Sequence, residues 1–121
     1  MSKYTLVVGA SVNPTRYSYK ATEMLLKHGH PVFLFGRNEG EILEQIIHTS
    51  LPDIVPMLHT ITIYINPAQQ EQIANELIAL RPKRIIFNPG TENPELEKLA
   101  TQHGIEVIHA CTLVLLSTEI Y

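Results

Sequence analysis

The segment Gly9-Ala10-Ser11-Val12-Asn13-Pro14-Thr15-Arg16-Tyr17-Ser18-Tyr19 gathers residue types that can hold an anion. Gly9 allows close backbone approach, Ser11 offers a hydroxyl, and Arg16 carries a fork of donors that matches phosphate oxygens. A helix starting beyond such a loop aims unpaired amides and the positive end of its dipole at the same point. The chemistry implied is phosphate or pyrophosphate binding. Gly, Ser, Asn and Pro are also ordinary turn residues. The stretch has one glycine where dinucleotide loops have GxGxxG. Composition alone therefore leaves a plain strand-to-helix turn open.

Other chemistry is thinly represented. Six histidines are scattered, none in HExxH or a comparable ligand spacing, and a single cysteine excludes Cys₄ or Cys₂His₂ zinc, so no metal site is expected. His109 follows the last expected strand and can face the edge of a site there. Cys111, two residues on, reads as a small buried hydrophobe; its position also allows a mixed disulfide with a ligand thiol. Glu92 suits a helix start electrostatically. There is no GxSxG elbow, no Walker lysine loop and no carboxylate pair, and Asp53 is the only aspartate. Catalysis is not expected.

The elements that must position the first loop are legible as alternating apolar runs and helical patterns. Strands are expected over residues 4–8, 32–35, 61–65, 84–87 and 105–108, with a weaker one over 46–48. The runs lack polar alternation, as strands covered on both faces do. Helices are expected over 17–27, 67–80 and 94–102. In the first of these, Tyr17, Ala21, Met24 and Leu25 face inward; Pro67, and Asn93 before Pro94, open the other two. One or two helical turns are expected over 41–47. The apolar tail 111–117 is left open between helix and irregular cover, and its residues 113–116 are compatible with a dimer seam. Alternation of this kind defines an α/β chain: a doubly wound, mostly parallel sheet of five or six strands in the order 3-2-1-4-5-6, with right-handed crossovers and helices on both faces.

The chain has 121 residues, enough for one domain that needs no disulfide. Nine Lys and Arg against twelve Asp and Glu give a charge of −3, which argues against a nucleic-acid partner. No apolar run reaches membrane-spanning length, the N-terminal residues lack a secretory pattern, and a cytoplasmic protein is expected.

In open α/β sheets, ligands bind beyond the carboxyl ends of the strands, where the strand order reverses. The loops there contain Gly9 to Ser18, Gly36 to Asn38, Asn66-Pro67, Asn88 to Thr91 and His109 to Thr112. Lys3, Lys83 and Arg84 precede strands and belong to the opposite pole.

On Gly9, Ala10, Ser11, Asn13, Pro14, Arg16, Ser18 and Tyr19, the chain resembles the small bacterial CoA-binding-domain proteins, which look like a detached nucleotide-binding domain of succinyl-CoA synthetase. Further matches run in order along almost the whole chain: Gly29-His30, Gly40-Glu41-Ile42, Ser50-Leu51, Asn88-Pro89-Gly90, Glu92-Asn93 and Gly104-Ile105. The resemblance implies a Rossmann-like domain that holds the nucleotide end of coenzyme A or acyl-CoA. By position, Gly9 to Ser11 and Arg16 would meet the pyrophosphate; Gly36, Arg37 and Asn38 would meet the ribose and its 3′-phosphate; and Asn66-Pro67 would border the adenine. Many relatives carry a Val-Asn-Pro sequence after the second strand, where this chain has Gly36-Arg37-Asn38. The acidic residue that reads the ribose of NAD is missing at that strand end, and Arg37 suits a phosphorylated ribose instead. Synthetases also need domains this chain does not contain, so the resemblance implies binding without catalysis, with a homodimer or a partner enzyme acting on what is bound. The alternatives are a protein-interaction module that has lost its ligand and an NAD-type nucleotide-binding protein.

Overall fold

Apolar runs too continuous for one-sided burial form the middle of the sheet. In the computed structural model, which describes residues 2–121, β1 (Tyr4–Val8) lies at the centre, with Leu6, Val7 and Val8 fully buried. The chain continues through α1 (Tyr17–Lys27), β2 (Val32–Phe35), β3 (Gly40–Ile42), β4 (Gln45–His48), β5 (Leu58–Ile63), α2 (Pro67–Glu71), α3 (Ala74–Ala79), β6 (Arg84–Phe87), α4 (Pro94–Gln102), β7 (Glu106–His109) and α5 (Thr112–Ser117). The sheet order is β3-β4-β2-β1-β5-β6-β7. Every neighbouring pair is parallel except β3 and β4.

Both faces are covered, which makes three layers. Leu6, Val8, Ile61, Ile63, Ile85 and Phe87 pack against α3 and α4 through Leu77, Ile78, Leu96 and Ala100. On the other face, Val7, Leu34, Ile47 and Ile86 pack against Leu25 of α1 and Leu116 of α5. β5 alternates strictly: its isoleucines enter the first cluster, while Thr60 and Thr62, both fully buried, put a row of hydroxyls beneath α5. Thr62 Oγ1 and Thr112 Oγ1 lie 2.8 Å apart, so α5 is held by hydrogen bonds as well as by Leu116.

The expected fold class and strand order are present, with one added edge strand. Residues 41–47 form no helical turn; they are the hairpin of β3 and β4. Its two-residue loop holds Leu43 at φ 47° and Glu44 at φ 70°, left-handed conformations that suit the right-handed twist of a tight hairpin. The expected helix over 67–80 is two helices. Position 70 on its inward stripe is Gln, and this fully buried amide donates to the carbonyls of Ile65 and Thr91. The helix tied down this way ends, and α3 restarts after Ile73. Tyr17 faces out at 67% exposure, because the buried side of α1 is Ser18, Ala21, Thr22 and Leu25. The strand expected over 61–65 runs three residues earlier at its start and ends at Ile63. The apolar tail is helical and packs on its own domain through Leu116. Among the described residues, no helix is long and apolar enough to cross a membrane.

Candidate functional site

The carboxyl ends of β1, β2, β5 and β6 open into a cleft of about 440 Å³, within the range of small-molecule sites. Its first wall is the loop after β1. Gly9 takes φ 101°, and a Cβ there would come within 3.0 Å of Ile65 and 3.2 Å of Tyr64, so only glycine fits this crossing. The Gly9 and Ala10 amides both donate to the Phe35 carbonyl, which locks the loop to β2. Asn13 builds the turn: its Oδ1 accepts from the Thr15 amide and hydroxyl, and its carbonyl accepts from the Arg16 amide.

Arg16 is the N-cap residue of α1, in extended conformation and without a side-chain cap. The amides of the first helical turn therefore have neither an intrahelical acceptor nor a capping oxygen. The other two proline-opened helices differ. Asn66 and Gln69 form a reciprocal capping box on α2, and Asn93 caps α4 through the Leu96 amide. Arg16 leaves α1 without such a side-chain cap, as Ile73 and Cys111 leave the short helices α3 and α5, and of these three only α1 begins at residues that line the cleft.

The second wall is Arg37, Asn38 and Glu39 after β2. Neither Arg16 nor Arg37 pairs with a carboxylate among the described residues, where the one ion pair is Glu97 with His109 at 2.7 Å. The third wall is Tyr64, Ile65 and Gln69, and the fourth is Pro89 and Thr91. The Tyr64 hydroxyl is buried without a hydrogen-bond partner. Burial pushes it up to about 12, with the neighbouring Thr112 and Thr62 hydroxyls opposing, so it stays neutral at any ordinary pH.

Of the residues singled out in the sequence, Gly9, Ala10, Ser11, Arg16, Ser18, Arg37, Asn38 and Pro89 come together in the cleft. The rest lie outside its lining. Asn13 and Pro14 shape the first loop, and Tyr19 packs into the core beneath α1. Gly36 sits behind the wall, where a Cβ would come within 2.3 Å of the Ala10 carbonyl. Asn66 and Pro67 are spent in starting α2. Asn88, 2% exposed, donates to Thr62 Oγ1 and the Ile63 carbonyl and accepts from the Thr112 amide. It is a buried joint between β5, β6 and α5. The Gly90 amide donates to Glu92 Oε1, which accounts for both residues locally. Cys111 is the N-cap residue of α5, and His109 pairs with Glu97; neither lines the cleft.

The wall residues absent from the loops read in the sequence are Glu39, Tyr64, Ile65 and Gln69, while Val12, Tyr17 and Thr91 fall inside them. Each of the absent residues lies beside a loop or helix start already singled out, and offset from the strand end is the only signal that could have found them. No group of three or more metal-ligating side chains occurs among the described residues.

Of the basic residues expected at the opposite pole, Arg84 and Lys3 are engaged, and the Lys83 side chain is exposed. Arg84, 8% exposed, donates to Thr60 Oγ1 and lies over the Tyr121 ring at 4.4 Å. Lys3 Nζ donates to the Tyr121 carbonyl, and Tyr121 shares a hydrogen bond with Thr5. The His30 ring is 4.9 Å from that of Tyr121, and His30 Nδ1 accepts from the Lys3 amide.

A mostly parallel sheet with this strand order, covered on both faces and clefted where the order reverses, places the chain among the Rossmann-like α/β proteins. Residues 3–117 match the CoA binding domain family, and the chain belongs to that family. A crystal structure of an uncharacterized protein is similar over 100% of this chain and 99% of its own, at 44% identity and a TM-score of 0.96. A protein of Thermus thermophilus, cell-free ID.343, is 26% identical over 99% of this chain and 91% of its own, with a TM-score of 0.86. An acetyl-coenzyme A synthetase of Candidatus Korarchaeum cryptofilum, solved with phosphate and ADP, shares the fold at 18% identity and a TM-score of 0.72; the likeness covers 89% of this chain and 25% of that one. No curated protein matches the chain.

Proposed function

We propose that the cleft binds the nucleotide end of coenzyme A or an acyl-CoA and carries out no reaction on it. The observation that carries this reading is the uncapped N-terminus of α1, flanked by Arg16 and faced by Arg37, in a chain of the CoA-binding-domain family. The first-turn amides and the Ser11 amide hold pyrophosphate oxygens, with the Gly9-Ala10 backbone locked to β2 behind them, and Arg16 adds a charged fork. Arg37 takes the 3′-phosphate, with Gly36 holding its loop close and Asn38 beside it. The adenine lies against Ile65 and Tyr64, with the Asn66-Pro67 turn behind them and Pro89 at the rim. Asn88 and Gly90 keep that rim in place. Binding without turnover is the reading adopted because the wall hydroxyls of Ser11, Tyr17, Ser18 and Tyr64 have no hydrogen-bonded base beside them among the described residues.

Isothermal titration tests the reading. Coenzyme A is expected to bind, dephospho-CoA to bind about tenfold or more weakly through loss of a charged hydrogen bond, and NAD weakest. Equal affinity for CoA and dephospho-CoA overturns the role of Arg37, and no heat with either overturns the ligand.

A further inference from the structure

Three residues, Arg37-Asn38-Glu39, line the cleft after β2, and the glycines on either side of them are both pressed onto the first loop. A Cβ on Gly36 would come within 2.3 Å of the Ala10 carbonyl oxygen, and a Cβ on Gly40 within 2.5 Å of Val12 Cγ1. Real side chains do not make such contacts. The backbone before the tripeptide is thus held against the Ala10 backbone, and the backbone after it lies beside the Val12 side chain of the same first loop. Gly40 also opens β3, so the hairpin anchors the far end of the tripeptide.

The end of the second strand is where Rossmann-like sites read the ribose. A carboxylate there accepts from free hydroxyls, and a guanidinium there accepts a phosphorylated position. This chain has Arg37 two residues past Phe35, the last residue of β2, and Glu39 four past it, so the acid missing at the strand end itself stands further along the same loop. A site for a ribose with both hydroxyls free needs only the acid, and a site for phosphate alone needs only the base. Glu39 is not required by anything else in the fold: it is exposed, and it makes no ion pair among the described residues.

We propose that Glu39 is a specificity-determining residue that accepts a hydrogen bond from the free 2′-hydroxyl of the ribose whose 3′-position carries the phosphate met by Arg37. This inference rests on the CoA reading above and adds to it the regiochemistry. A phosphate moved to the 2′-position would face the Glu39 carboxylate, and like charges would repel it.

The test uses 3′,5′-ADP and 2′,5′-ADP as probes, each displacing CoA from the full chain, with wild type compared with Glu39→Gln. Wild type is expected to prefer the 3′-isomer by about tenfold or more, and Glu39→Gln to narrow the preference to within about threefold, since the amide keeps the shape and removes the repelling charge. Unchanged melting of the variant establishes that the loop is intact. An isomer preference that survives Glu39→Gln, or that wild type lacks, overturns the role of Glu39 while CoA binding stands. If wild type fails to bind CoA at all, the ligand reading itself falls.

Discussion

At the amino ends of the strands, Lys3 and Arg84 close over Tyr121; at the carboxyl ends, Arg16 and Arg37 face a cleft and touch no carboxylate. Both poles carry two cations within reach of hydroxyl-bearing side chains. One pole engages Lys3 and Arg84 with an aromatic face, a carbonyl and Thr60, although Arg84 Nη2 stays buried without a partner, while the other leaves its cations to solvent or a ligand. Among the helix starts, Asn66 and Asn93 close two, those at Tyr17, Ala74 and Thr112 have no side-chain cap, and of these three only the one at Tyr17 lines the cleft. Residue type alone does not mark a site here. What marks it is free donors gathered where a cleft opens.

The contrast can be broken or sharpened by experiment. Tyr121→Ala empties the closed pole; it removes a buried ring and its hydrogen bond and is expected to cost about 3 kcal/mol of folding stability. Chemical denaturation reads that loss, and a titration on the folded variant should show unchanged CoA affinity. A parallel fall in affinity would mean the two poles are not independent. Arg16→Ala is the mirror experiment: a loss of about 1.5–3 kcal/mol in CoA binding, with stability changed by less than about 0.5 kcal/mol because the side chain is exposed. If stability fell and binding held, Arg16 would belong with the structural cations.

The smallest effect concerns pH. Burial, and then the charge of Lys3, lower the affinity of His30 for a proton, and the Lys3 amide needs the neutral Nδ1 lone pair. His59 is lowered for the same reasons, burial first and then Arg84. Below the ordinary histidine value of about 6.5, the unfolded chain takes up protons that the folded chain resists. Stability from these groups is therefore full above that value and declines as pH falls toward the lowered folded-state values. The melting midpoint should drop between neutral pH and pH about 5, and His30→Asn should make that drop smaller. An identical pH profile in the variant would show that His30 does not titrate in this window.

Much of the architecture is legible because it rests on local pattern. The continuous apolar runs of β1, β2 and β6, and the Asn-Pro starts of α2 and α4, announce themselves. The hairpin does not: Leu43 and Glu44 are not the Gly, Asn or Asp that advertise left-handed backbone, and their conformation is imposed by the pairing of β3 with β4. The break in the helix over 67–80 is also hidden, since it depends on what Gln70 meets across space at Ile65 and Thr91. The first loop of the candidate site is legible from its own composition, and the membership of the family agrees with the resemblance read there. Glu39 and Gln69 are not, because each is a solitary polar residue whose meaning arises only when four strand ends converge. Asn88 shows the converse. It looks like a ligand contact in sequence, yet it is fully occupied inside the protein.

The antiparallel β3 also settles how the sheet ends. A parallel β4 left at the rim would present a row of free backbone donors and acceptors to any other strand. Instead, the chain doubles back on itself for three residues, and the far rim, β7, is four residues long with Glu106 and His109 exposed. Short or charged margins of this kind discourage strand-by-strand polymerisation. The hairpin that begins at Gly40 thus doubles as a guard against aggregation in a crowded solution.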